Sequence, residues 1–109
     1  MALFPSNLGR GMKLLDSKTG TNAITLPNQF DEICVLVAIN GNNDYIIDFT
    51  IPKGFLSSNS KGFRKGFYIS STSTGNVYFT ATTSSVQLSE VRSGSAVVTS
   101  NSVITVYYR

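Results

Sequence analysis

The sequence predicts an all-β protein, an antiparallel β-sandwich of about seven strands, jelly-roll-like or immunoglobulin-like, with an extended N-terminal arm. Three observations predict this class. Only 14% of the 109 residues are charged, against about a quarter in average domains, so Ser, Thr and Asn supply much of the polar surface. These residues favour strands and turns over helix interiors. Apolar residues also alternate with polar ones at a period of two, and turn residues separate the alternating runs.

The first twenty residues predict an arm and not a helix, because Pro5, Gly9 and Gly11 interrupt any helical period. An apolar arm is unfavourable in water, so we expect it to dock on its own domain or on a neighbouring subunit. The β-domain is then expected over residues 21–109. The candidate assembly residues of the arm are Leu3, Phe4, Leu8, Met12, Leu14 and Leu15.

Seven strands are predicted along the domain, at residues 22–26, 32–40, 45–51, 66–71, 76–82, 85–91 and 103–108. The run 32–40 is almost entirely apolar and rich in β-branched residues, which is typical of a strand buried on both faces. With 45–51 it forms the expected hairpin around a turn at 41–44. Further turns are predicted at 73–76 and 92–95, and a long loop at 53–65. Cys34, the single cysteine, is expected to be a small buried thiol in the 32–40 strand.

The composition predicts a protein without enzymatic activity. The sequence contains no histidine, which excludes Ser-His-Asp and Cys-His catalysis and metal sites with histidine ligands. The acids are Asp16, Asp31, Glu32, Asp44, Asp48 and Glu90. Their spacing fits neither a carboxylate pair for glycoside hydrolysis nor a calcium loop. We therefore expect no catalytic residues, no metal and no cofactor.

Two groups of residues are candidates for a ligand or partner surface. The predicted loop 53–65 and the strand after it interleave cations with aromatic side chains: Lys53, Lys61, Arg64 and Lys65 with Phe55, Phe63, Phe67 and Tyr68. Such a cluster can hold phosphates and stack bases or sugars, but a solvated loop anchored to the core by its phenylalanines is the favoured interpretation. The second group is a row of tyrosines on different strands that predicts an exposed aromatic patch: Tyr68, Tyr78, Tyr107 and Tyr108.

Charge and hydropathy argue against nucleic acid and membrane partners. The net charge of +3 comes from only nine cations, too few for an evident phosphate-tracking surface, so nucleic acid is not the expected partner. No apolar stretch approaches the ~18 residues needed to cross a bilayer. The N-terminus has no signal-peptide pattern, so we expect the protein to be made in the cytosol and to stay soluble there until it assembles.

Four segments resemble small β-rich structural proteins of tailed bacteriophage virions: ITLPNQFDEICVLVAIN, YIIDFTIPKGFL, GFYIS and VITVYYR. The resemblance covers roughly residues 20–109. It implies a β-sandwich, often trimeric, displayed on the particle and contacting a host glycan or another virion protein.

The leading hypothesis is a homotrimeric fibre, head-decoration or tail-tip module located in the virion. A second hypothesis is a carbohydrate-binding module that acts alone through Tyr68, Tyr78 or the Phe55 and Phe63 loop. A nucleic-acid module built on Lys53, Lys61, Arg64 and Lys65 is a weaker third hypothesis.

Overall fold

The computed structural model describes residues 11–42 and 45–109, which form two antiparallel sheets packed face to face. The first sheet has the strand order β1-β9-β3-β4 and contains β1 (Lys13–Thr19), β3 (Glu32–Ala38), β4 (Ile46–Pro52) and β9 (Val103–Tyr108). The second has the order β2-β7-β6-β5 and contains β2 (Ile24–Thr25), β5 (Lys61–Ser70), β6 (Ser73–Ala81) and β7 (Ser85–Ser93), with β8 (Ala96–Val97) paired to β7. The predicted all-β sandwich is confirmed.

The core lies between the two sheets and is built from the inward residues of each strand. Ile33, Val35 and Val37 of β3 are fully buried there, at alternate positions as the pleat requires. Phe79 of β6 lies at the aromatic centre, edge-on to Phe49 with ring centroids 4.6 Å apart. Burial of these large side chains removes most of the apolar surface from water and is the main stabilising contribution.

The hairpin of β3 and β4 and the C-terminal strand β9 agree with the sequence prediction. β3 and β4 pair within the ranges predicted for the two strands, with Cys34 opposite Thr50. β9 spans the predicted residues 103–108. All of residues 33–38 are buried, so β3 is covered on both faces as expected. The predicted turn at 92–95 is present between β7 and β8, where Gly94 has a φ of +64°.

Three predictions about local structure are wrong. Residues 13–19 belong to the first sheet as β1, although the sequence assigned them to the arm. Residues 61–65, expected in a loop, form the first half of β5. Residues 73–76, expected in a turn, are the beginning of β6, and the turn lies at residues 71–72. The glycines in these segments have packing roles within strands, described below, and do not interrupt them.

Three short 3₁₀ turns connect the strands: Ile39–Gly41, Lys53–Phe55 and Thr99–Asn101. Asn40 and Gly41 both have positive φ at the start of the turn after β3, as expected for its residue types. Within residues 11–42 and 45–109, no helix has the length and apolar character needed to cross a membrane.

Candidate binding faces

The outer face of the second sheet presents polar and aromatic side chains from β5, β6 and β7. In β6 and β7 one set of alternate residues is buried in the core, so the other set points outward. In β5, Phe67 is buried and Phe63 half-buried, and the residues between and beside them point outward. We call this surface the tyrosine face. Its residues are Gly62, Arg64, Gly66, Tyr68, Thr74, Asn76, Tyr78, Thr80, Gln87, Glu90 and Arg92.

Tyr78 lies flat along the tyrosine face and covers Gly62 on the neighbouring strand. A Cβ at Gly62 would be 2.6 Å from Cε1 of the Tyr78 ring, so the ring occupies the space of the missing side chain. The Arg64 guanidinium carbon lies 5.1 Å from the centroid of the same ring, a cation–π distance. The ring therefore packs on the β5 backbone at Gly62 and lies within cation–π distance of Arg64.

A shallow groove of about 360 Å³ lies where β5 and β6 pair at Gly66 and Asn76. Gly66 and Gly75 line it, and Tyr68, which is 72% exposed, borders it. A single exposed aromatic side chain is common on protein surfaces, so Tyr68 is of interest because of the groove that it borders. The groove offers an aromatic ring and the Asn76 amide to a ligand.

An ion pair borders the tyrosine face on the side of β7. Arg92 Nε donates to Glu90 Oε1 at 3.0 Å, and both side chains are about half exposed. Exposed pairs of this kind add little to stability. This pair also adds charge to the tyrosine face. Glu90 lies opposite Tyr78, and Arg92 lies opposite Asn76, in the pairing of β6 with β7.

The outer face of the first sheet has a different character, and we call it the apolar face. Its central residues Cys34, Leu36 and Ala38 are buried but do not belong to the core between the sheets. The residues of the apolar face are Leu14, Ser17, Thr19, Glu32, Cys34, Leu36, Ala38, Ile46, Asp48, Thr50, Pro52, Val103, Thr105 and Tyr107.

Cys34 is the titratable group most affected by this environment. Burial raises the pKa of its thiol to about 11, and the nearby Asp48 carboxylate acts in the same direction. A hydrogen bond with the Thr50 side chain acts in the opposite direction and is the weaker influence. A thiol with a raised pKa is a poor nucleophile at neutral pH, in agreement with the prediction of a buried structural cysteine.

The structure separates the predicted row of tyrosines. Tyr68 and Tyr78 lie on the tyrosine face, whereas Tyr107 lies on the apolar face of the other sheet. Tyr108 is partly buried against the core. The four rings therefore do not form one patch.

The predicted cluster of cations and aromatic residues is divided as well. Phe63 stacks on Phe79 with centroids 5.2 Å apart, and Phe67 is buried in the core. The Lys65 ammonium donates to the carbonyl oxygen of Asp48 at 2.6 Å. Both rings thus anchor this segment to the core, but from within strand β5 and not from a solvated loop as predicted.

The remaining cations lie in other places, so the four cations share no face. Lys53 lies over the ring of Phe30, 4.8 Å from its centroid, and Lys61 is exposed at the start of β5. Phe55 is exposed on the Lys53–Phe55 turn. Of the predicted surface residues, Arg64 and Tyr78 are in contact, and Tyr68 lies on the same face, four positions from Arg64 along β5.

Half of the predicted arm residues are described. Leu3, Phe4 and Leu8 lie outside the described residues. Met12 is half-buried, Leu14 is 61% exposed on the apolar face, and Leu15 lies at a bulge in β1 and packs against the core.

Sequence reasoning missed Gly62, Gly66 and Asn76 as parts of a surface. The signal that indicates them is the alternation of Gly62, Arg64, Gly66 and Tyr68 at a period of two, which places all four on one side of a strand. Within the described ranges no group of three or more acidic or cysteine side chains is placed to hold a metal ion.

Comparison with known proteins finds no family model, no curated protein and no solved structure that matches the chain. The resemblance to bacteriophage virion proteins therefore stays a prediction that depends on the sequence motifs.

Proposed function

We propose that this protein is a non-enzymatic structural module of a bacteriophage virion, a fibre, decoration or tail-tip component that forms a homotrimer and attaches to other virion proteins. The observation that carries the proposal is the tyrosine face. It is broad and shallow, with the Tyr78 ring, the exposed Tyr68 and the Arg64 guanidinium on one side of a sheet. Tyr and Arg are the residue types that contribute most at protein interfaces.

The predicted location in the virion can be tested by analysing the protein content of purified phage particles. Mass spectrometry of purified particles of the phage that encodes the chain is expected to find it at the copy number of a structural protein. Its absence from intact particles would overturn the proposal.

The trimer is tested by the solution mass of the full chain. Analytical ultracentrifugation at micromolar concentration is expected to give the mass of three chains. Arg64→Ala and Tyr68→Ala are expected to shift the equilibrium toward the monomer, whereas Thr25→Ala, an exposed change on β2 at the opposite edge of the same sheet, leaves it unchanged. A monomer at all concentrations rules out the homotrimer.

A carbohydrate-binding module that acts alone is the second candidate, favoured by the groove beside Tyr68. Sugar rings stack on exposed aromatic rings, and the Asn76 amide at the groove can bond hydroxyl groups. A glycan array is expected to show binding that is lost in Tyr68→Ala. Phe63, stacked in the core, is unsuitable for this test. An array without any binder removes this candidate and leaves the trimer proposal standing.

A further inference from the structure

The second sheet has one long open edge. Its strand order is β2-β7-β6-β5, so its outermost strands are β2, of two residues, and β5, of ten residues. β8, which also pairs with β7, has two residues. On the side away from β6, β5 has no neighbouring strand among the described residues. Unpaired backbone N–H and C=O groups along an edge of this length can pair with a strand of another molecule.

The open edge of the first sheet lies on the same side of the sandwich. β4 ends the order β1-β9-β3-β4, and it lies beside β5 because Phe49 of β4 and Phe63 of β5 both pack on the ring of Phe79. Phe49 and Phe63 are half-buried, as are Tyr45 and Ile47 next to them on β4 and before it. The side of the sandwich between the two edge strands is therefore apolar, which favours association.

Lys65 is the charged side chain in the middle of this side. It lies between Phe63 and Phe67 in the inward-pointing row of β5, and its partner in the β5–β6 register, Val77, is fully buried in the core. Its ammonium group donates to the carbonyl oxygen of Asp48 on β4 at 2.6 Å. The side chain therefore crosses from one edge strand to the other and holds a positive charge between the edges of the two sheets.

Pairing of β5 with β5 of a second molecule brings two of these charges together. β5 runs from Lys61 to Ser70, so antiparallel pairing with a copy uses almost the whole strand in the registers centred on Lys65 or Gly66. In both registers the two Lys65 side chains project from the same side of the joined sheet, with their Cα atoms within about 10 Å. Like charges at this position oppose the pairing, and the added strand also removes water from the ammonium groups.

We infer that Lys65, held against β4, blocks the β5 edge against pairing with β5 of a second copy of this chain. An inward-pointing charge on an edge strand is one way in which β-proteins avoid edge-to-edge association. Without the charge, Phe63, residue 65 and Phe67 form a continuous apolar row beside unpaired backbone groups. The tyrosine face points outward from the second sheet, so this inference does not depend on the proposed function.

The test compares the mass of the full chain with that of Lys65→Met, which keeps the length of the side chain and removes its charge. In analytical ultracentrifugation at micromolar concentrations, Lys65→Met is expected to form species of at least twice the wild-type mass and to associate at least tenfold more tightly. Lys65→Arg keeps the charge and a donor for Asp48, and is expected to retain the wild-type mass. The matched control Lys61→Met removes the same charge at the exposed start of the same strand and is also expected to retain it.

Backbone amide hydrogen exchange locates the new contact. In the associated form of Lys65→Met, amide groups in residues 61–70 are expected to exchange at least tenfold more slowly than in the wild type. Those of β2, at the opposite edge of the same sheet, are expected to exchange at the wild-type rate.

Circular dichroism and urea unfolding establish that each variant is folded. If Lys65→Met does not fold, Lys65→Thr takes its place, because threonine is neutral and favours strands. Folded neutral variants that keep the wild-type mass at every concentration overturn the inference. So does association that leaves the exchange of β5 unchanged, since another surface would then be the contact.

Discussion

Gly75 marks a point where the backbone of β6 passes too close to its neighbours for any side chain. A Cβ there would overlap the carbonyl oxygen of Arg92 and the ring of Phe67. Because one of these atoms is backbone, a rotamer change cannot relieve the overlap. We expect Gly75→Ala to lower the free energy of unfolding by about 3 kcal/mol, measured by urea denaturation.

Gly66 is the matched control, because it pairs with Asn76, one position from Gly75 in the same ladder. A Cβ at Gly66 would lie 3.6 Å from its nearest neighbours, an ordinary contact. Gly66→Ala is expected to change stability by less than about 0.5 kcal/mol. Equal losses for the two variants would contradict the packing explanation.

The Cys34 thiol predicts a loss of stability at alkaline pH. Its pKa is about 11 in the folded chain because of burial, against 9.0 for an unperturbed cysteine. Between these values the unfolded state has released the proton and the folded state has not, so the free energy of unfolding falls as pH rises. Well below pH 9 this contribution is complete.

The measurement compares the wild type with Cys34→Ala by urea denaturation at pH 8 and pH 10. Lysine and tyrosine groups titrate in both proteins, so the difference between them isolates the thiol. The wild type is expected to lose about 1 kcal/mol more than the variant over this interval. Parallel losses would show that the thiol is not protected from ionisation.

At the scale of elements, β5 shows why the sequence predicted the wrong structure over residues 61–65. Glycine inside a strand pattern indicates a break unless a neighbour fills the vacant space. Here the filling ring is Tyr78, sixteen positions beyond Gly62, and the pairing that brings them together is a tertiary property. Gly75 was likewise interpreted as a turn residue, although the ring that excludes its side chain belongs to Phe67.

The elements that the sequence predicted well have local signals. The β3–β4 hairpin and β9 have dense β-branched runs, and in the hairpin turn residues lie between them. The candidate site was less predictable, because alternation shows which residues point the same way within one strand but not which sheet the strand joins. Tyr68 and Tyr107 have similar surroundings in sequence, yet they lie on opposite faces of the sandwich.

Lys65 connects two elements at the open edge of the sandwich. Its ammonium donates to the Asp48 carbonyl oxygen of β4 at 2.6 Å and lies 5.0 Å from the centroid of the Phe49 ring. Because the residue is exposed, water weakens both interactions. Lys65→Met is expected to destabilise the protein by about 1 kcal/mol in urea denaturation.

Lys61 of the same strand is the control for this change. Its side chain is exposed at the start of β5, so Lys61→Met is expected to alter stability by less than about 0.5 kcal/mol. If the two methionine variants are equally stable, the contact between Lys65 and β4 contributes nothing measurable.

For the whole molecule, the chain order imposes a late step in folding. β9 contains the last strand residues of the chain, yet it lies inside the first sheet between β1 and β3. Its residues Ile104 and Val106 are fully buried in the core. The sheet is therefore incomplete until the C-terminus is available, and β1 has no partner strand before that point.

This order predicts different outcomes for truncation at the two ends. Removal of residues 103–109 takes away the inner strand of the first sheet and is expected to abolish the cooperative urea transition and the dispersed amide NMR spectrum of the whole chain. Removal of residues 1–10 leaves all nine described strands in place and is expected to keep both. A chain that ends at residue 102 and still unfolds cooperatively would show that the second sheet and the β3–β4 hairpin are stable without β9, contrary to a single core shared by both sheets.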